Sequence, residues 1–396
     1  MLINGKNYSL DLKKITRGKI DPLSWLHSQP LYPKVFWKEK HEDTIRAAVG
    51  STLLFSEVPS ISDPDIRFYG GMRFDSRAKS SVWQSFPSSS FWLPQIELSC
   101  FEDRSEIHYY CPDSEEVETR SYNPSKPAIL SQTHLPSFPE WEKLVETTLN
   151  AIQSNQINKL VLARQTTMSL DAPLSPFTLI EKLLNQNTHS TLFAFQMSPS
   201  LCFLGATPEI LFKREGSFLT TEAIAGTRRR RPTQEEDTKI EEELLSSEKD
   251  RREFEIVKQS LQATLSPLTK SAEWEEKDRV IKTAQLLHLY NRLRIELKTD
   301  LSDAELITLL HPTPALGGYP KETALPLLQQ LEPFDRGWYG APIGMVSSQS
   351  SAFYAAIRSA LIKEREIHLF AGLGLVEGSC PKKEWEELNA KMAWFK

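Results

Sequence analysis

The sequence predicts an α+β fold in which layered antiparallel sheets carry helices on their outer faces. Three observations predict it. The last quarter reads as strands at 339–347, 352–363 and 366–376, with Glu364 and Arg365 turning the second into the third. A second hairpin is marked by Glu215 and Gly216 between apolar runs at 209–213 and 217–224. Helical periods are interspersed with these hairpins and do not alternate one-for-one with single strands, which argues against a doubly wound sheet.

Taken in order, residues 1–110 mix short aromatic and β-branched runs with Gly, Pro and Ser, the pattern of strands and loops. Residues 112–139 are rich in Pro and Ser and mark the best boundary in the chain, so a first part is expected over 1–135 and a second over 136–396. From Trp141 a helical period leads through Leu144, Thr148 and Ile152 into a strand at 159–170. A helix is expected at 176–186, followed by strands at 190–197 and 201–206 and then the 209–224 hairpin. Thr233 and Glu236 resemble a capping box opening one long helix whose apolar positions run from Ile240 to Leu265. A further helix is expected at 279–292, then a Pro/Gly-rich loop at 311–320. Ser379 as N-cap and Pro381 in the first turn would start the final helix.

Composition narrows the class of function. With 396 residues, 40% of them hydrophobic, the chain can bury a large core. A formal net charge of -5 argues against nucleic acid as a partner bound through its phosphates. The arginines at 228–231 are followed at once by Glu235, Glu236 and Asp237 and read as solvated surface. Four widely spaced cysteines without a CxxC pair support neither a zinc site nor a disulfide framework, which fits a reducing compartment. With no apolar signal segment and no run long enough to span a bilayer, the expectation is a cytoplasmic protein with no membrane partner.

Several residues could carry chemistry. Asp250 and Glu253 are three apart on one expected helix, and Glu384 and Glu387 on another, so each pair shares a helical face. Brought together they would offer Mg²⁺ four hard oxygen donors; alone, such pairs face solvent, and Glu387 with Lys391 could be an ordinary ion pair. Lys159 opens an apolar strand, where a general base would have to lose its charge through burial or neighbouring cations. Glu209 begins another, where desolvation would make it a general acid. Arg358 lies among apolar strand residues and calls for a carboxylate, from a substrate or from within the chain. His311 in the proline-rich loop suits a structural hydrogen bond as well as a functional one. The glycines of AGLGLV at 371–376 could bring backbone amides close to an anion.

Jointly these residues resemble the chorismate-utilising enzymes, a family including isochorismate, salicylate, anthranilate and aminodeoxychorismate synthases. The blocks that carry the resemblance are NKLVLAR, FLGATPEILF, TEAIAGTRR, SSEKDRREFEIV, HPTPALGGYP, EPFDRGWYGAPIG, AIRSALI, LFAGLGLV and EWEELNAKM. They occur in the family's order across 155–393, whereas the first third carries no decisive motif.

The resemblance implies the chorismate-binding enzyme fold, a central cleft for the small-molecule substrate chorismate, Mg²⁺ as cofactor and a monomeric chain. It makes Glu253 and Glu387 direct metal ligands and Asp250 and Glu384 their water-bridged companions. Arg358 and Tyr339, with amides near Gly374, would clamp a substrate carboxylate beside Lys391. Ala225, Gly226, Thr227, His311 and Ala315 fall on the family's substrate-contacting segments. Lys159 stands where isochorismate and salicylate synthases resemble one another in having the lysine that activates water, and Glu209 would be the acid. Ala225 replaces the lysine nucleophile of aminodeoxychorismate synthases, and Ala315 replaces a threonine of anthranilate and salicylate synthases. Together these imply conversion of chorismate to isochorismate, and TEAIAG is closer to the menaquinone-pathway form. Leu373 departs from the family pattern, which has a small residue there.

Overall fold

The structure is a computed structural model that describes residues 2–10, 12–75, 82–111, 113–122, 124, 126–186, 189–283 and 286–395. Two large antiparallel sheets, of 12 and 10 strands, dominate it. The larger runs from Ile129–Leu135 through Lys159–Leu170, Glu366–Leu375, Ser359–Lys363, Leu201–Thr207 and Thr191–Ser198, then continues into strands of the first third. The smaller has Leu286–Leu297, Phe218–Arg229, Ile210–Glu215 and Ser350–Ala355 in sequence at its heart. Strands from before and after residue 135 therefore pair directly: Lys34–Lys38 with Thr191–Ser198, and Phe68–Met72 with Pro342–Val346.

The layers are joined by an aromatic core. Trp37, Phe195 and Phe203 from the larger sheet meet Tyr69 and Tyr354 from the smaller, with Trp338 fully buried among them. Each such ring contributes on the order of 2–3 kcal/mol by leaving water. The Trp338 indole N–H also needs a partner, and it finds the Pro87 carbonyl at 2.7 Å.

The hairpins at 209–224 and 359–376 form as the sequence implies, with the first turning at Gly216 and Ser217. Four expectations are corrected. The stretch 279–292 is not a helix: it holds the strands Arg279–Lys282 and Leu286–Leu297. From Leu286 to Asn291 every residue is buried, so the alternation that identifies a strand is erased by contact on both faces. The long helix is two, Gln234–Ser246 and Glu248–Leu265, because Ser247 takes an extended conformation and caps the second through Asp250 N–H. The 352–363 strand is interrupted at 356–358, where Arg358 has φ 51°. Cys380, not Ser379, is the N-cap of Pro381–Lys391; the Ser379 hydroxyl accepts from Val376 N–H instead.

Candidate functional site

A cleft opens between the sheets. Its walls come from distant parts of the chain. Glu209 immediately precedes the strand Ile210–Glu215, Ala225, Gly226 and Thr227 come from Phe218–Arg229, and Gly372, Leu373 and Gly374 from Glu366–Leu375. Glu253 projects from Glu248–Leu265, and Lys391 ends Pro381–Lys391. Ala315 and Leu316 are delivered by the proline-rich loop, which is pinned to the Lys159 strand by Asn158 N–H to Tyr319 O at 2.7 Å and Val161 N–H to Gly317 O at 2.9 Å.

Lys159 lies against one wall. It is fully buried, with its ammonium 2.8 Å from Glu253 Oε1. Gly374 makes room for that pair: a Cβ there would stand 2.5 Å from both Glu253 Oε1 and Lys159 Cε. On the Glu209 side, burial pushes the carboxyl up to about 7, Glu222 adds to the rise, and Lys159 and Lys391 oppose it. Gly226 has φ 66° at the point where Phe218–Arg229 slips register against Leu286–Leu297, and only a residue tolerant of that conformation turns the chain there.

The opposite chemistry gathers at Arg358. Its guanidinium bonds to Lys391 O at 3.2 Å and approaches His288 Nε2 at 3.4 Å. Among the described residues no carboxylate ion-pairs with it, and burial lowers it to about 10. Among the described residues it therefore has no directly paired carboxylate, only the longer-range attraction of Glu387. His288 is held well below the usual imidazole range by burial and by Arg358 and Lys391, so it is neutral. Its Nδ1 faces Gly226 O at 3.3 Å, which assigns the proton to Nδ1 and leaves Nε2 to accept from Arg358. The Tyr339 ring stacks on Phe370, and its hydroxyl would lie 2.9 Å from a Cβ at position 372.

The four helix carboxylates lie together but each has its own cation. Glu253 pairs with Lys159, Glu387 with Lys391 at 2.8 Å, Glu384 with Lys249 at 2.7 Å, and Asp250 with both guanidinium nitrogens of Arg228. Among the described residues no three metal-ligating side chains converge as a ready-made cluster. The donor chemistry nevertheless fits a hard divalent cation: all are carboxylates, and the Lys249 ammonium is raised by Glu384, Glu387 and Glu253 together. His311 is turned away from the cleft. Its Nε2 meets Phe74 O at 3.1 Å, and burial takes it down to about 3, so the structural reading of this residue fits.

The chain as a whole has counterparts among known proteins. The family described as "Chorismate binding enzyme" matches residues 56–395. The chain belongs to the chorismate-binding enzymes. Isochorismate synthase 2 of Arabidopsis thaliana, a chloroplastic protein, is 30% identical, covering 95% of this chain and 78% of its own. Isochorismate synthase MenF of Bacillus subtilis is 31% identical, covering 82% and 72%. The solved structure of MenF, the menaquinone-specific isochorismate synthase of Escherichia coli, superposes with a TM-score of 0.85 at 25% identity, covering 97% of this chain and 94% of that one.

For a chorismate-binding enzyme, sequence reasoning leaves out three residues. His288 was hidden inside the misread helix at 279–292. Lys249 lies inside the SSEKDRREFEIV block, but nothing in the sequence marks it as the partner of Glu384. Arg336 lines the cleft and donates to Glu332, to Leu316 O and to Val161 O, each at 2.7 Å for the two carbonyls. It thereby ties the loop of Ala315 to the Lys159 strand. No helix among the described residues is long and apolar enough to cross a membrane.

Proposed function

We propose that the protein is an isochorismate synthase, converting chorismate to isochorismate with Mg²⁺, for menaquinone biosynthesis. The observation that carries the reading is Arg358, a buried cation at the cleft with no carboxylate of its own, together with the Lys159 and Glu209 pair. Chorismate is a dicarboxylate, and one carboxylate on Arg358 would supply a directly paired counter-charge. The relatives that match most of this chain bear the isochorismate synthase name.

In this mechanism Arg358 and Tyr339 hold the pyruvyl carboxylate, with amides near Gly374 and the Lys391 ammonium beside it. Lys159, released from Glu253 and in its neutral amine form, takes a proton from a water that attacks the ring carbon next to the carboxylate-bearing carbon. Glu209, kept neutral by burial, gives its proton to the hydroxyl that leaves as the ring double bonds shift. One C–O bond forms and one breaks, so the reaction is an isomerisation. Glu253 and Glu387, with Asp250 and Glu384 behind them, would hold Mg²⁺, which neutralises the ring carboxylate when bound. Ala225 offers no nucleophile, so no covalent intermediate forms at that position.

The test is incubation of purified protein with chorismate, with and without Mg²⁺ and with ammonium added, followed by chromatography. Isochorismate formed only with Mg²⁺ is expected. Salicylate would overturn the argument from Ala315, and anthranilate the argument from Lys159.

A further inference from the structure

One contact from the first third of the chain lies directly behind Glu209. Lys40 follows the strand Lys34–Lys38, and its side chain is 6% exposed. The ammonium donates to Pro208 O at 3.0 Å and to Glu222 Oε2 at 2.5 Å. That carbonyl belongs to the peptide bond that carries Glu209. The other flank is held as well: Glu209 N–H donates to Thr207 Oγ1 at 3.3 Å, and Glu209 O accepts from Ala355 N–H at 3.1 Å.

Glu222 is fixed from its far side. The Tyr290 hydroxyl donates to Glu222 Oε1 at 2.9 Å and itself accepts from Arg292 Nε at 3.0 Å. Glu222 also lies two residues before Ile224 on one strand, so both side chains share a face, and Ile224 lines the cleft. Neither Lys40 nor Glu222 lines it. A buried ion pair of this kind is a poor source of stability, because desolvation offsets the attraction. What it supplies is geometry.

We propose that Lys40 and Glu222 are positioning residues for Glu209: their ion pair fixes the Pro208–Glu209 peptide and so the direction in which the carboxyl enters the cleft. This rests on the reading of Glu209 as the general acid. A displacement near 1 Å at a reacting group costs about 10²-fold in rate. Loss of the pair should therefore act on turnover and leave substrate affinity alone.

The experiment is steady-state kinetics with chorismate and Mg²⁺ on Lys40→Met, Lys40→Arg and the double variant Lys40→Met/Glu222→Met, with melting curves in parallel. Lys40→Met should lower kcat by about tenfold or more while KM changes by less than about threefold, and Lys40→Arg should recover part of the loss. The double variant removes both buried charges, which protects the fold if the single variant fails. Its kcat should remain low, close to that of Lys40→Met. Normal kcat in a folded double variant, or a rise in KM at unchanged kcat, overturns the proposal. Glu209→Gln is run alongside: if it is fully active the acid assignment itself falls, whereas an inactive Glu209→Gln beside an unimpaired double variant removes only the positioning role.

Discussion

The Lys159 ammonium and the Glu253 carboxylate form a 2.8 Å ion pair packed directly against the Cα of Gly374. One group comes from a strand of the larger sheet and the other from Glu248–Leu265, so this contact brings the proposed base and a proposed metal ligand to one spot. A methyl at position 374 has no room, because both neighbours would lie 2.5 Å away. Gly374→Ala should therefore lower turnover by about 10²-fold through displacement of both groups, with a stability loss of about 1–3 kcal/mol from overpacking. Kinetics and a denaturant melt on the same preparation check it; normal kcat would mean that the pair tolerates a shift.

Glu209 gives a prediction in pH. It must hold a proton to protonate a leaving hydroxyl, and burial raises it to about 7. The limb set by Glu209 should then fall as pH rises through about 7. The same sign holds for stability: the raised carboxyl favours the folded state below the ordinary value of 4.5, and that contribution is lost as pH climbs through about 7. A pH profile of kcat checks it. In Glu209→Gln the alkaline limb should vanish along with about 10²–10⁴-fold of rate.

The two hairpins were legible because their turns are marked, by Glu215 and Gly216 and by Glu364 and Arg365. The first half of Leu286–Leu297 was not, since burial on both faces from Leu286 to Asn291 removed its period and left a run that suits a helix equally well. That misreading also hid His288, whose role depends on facing Gly226 across a register slip. Ser247 was legible in principle: Ser-Glu-Lys-Asp is an N-cap signal, but the apolar spacing on either side runs through it. The site residues were read from family motifs. The ion pairs that hold them, such as Lys249 with Glu384 and Arg336 with Glu332, join residues that lie inside those motifs but whose partnership only the folded chain defines.

Arg358 predicts a trade between stability and function. An interior guanidinium without a carboxylate is costly to the free protein, and burial already lowers it to about 10. Arg358→Met should melt no lower than the parent in the absence of substrate. It should also lose about 2–5 kcal/mol of substrate interaction, which is about 30-fold or more in KM or kcat/KM. A sharply lower melting temperature would show that the hydrogen bond to Lys391 O, not the wait for an anion, is what the fold needs from this residue.

Metal binding should depend on substrate. Glu253, Glu387, Glu384 and Asp250 are each balanced by Lys159, Lys391, Lys249 or Arg228, so Mg²⁺ must compete with four internal cations for its donors. A substrate carboxylate adds negative charge to the same cleft and shifts that competition toward the metal. Calorimetry should therefore find Mg²⁺ binding weak alone and at least about tenfold tighter with a non-reacting dicarboxylate analogue present, the reciprocal gain appearing in analogue affinity. Glu253→Gln and Glu387→Gln should each abolish the gain. Lys249→Met, which frees Glu384, should instead tighten Mg²⁺ in the absence of analogue; equal affinity in all these states would mean that the internal cations do not guard the site.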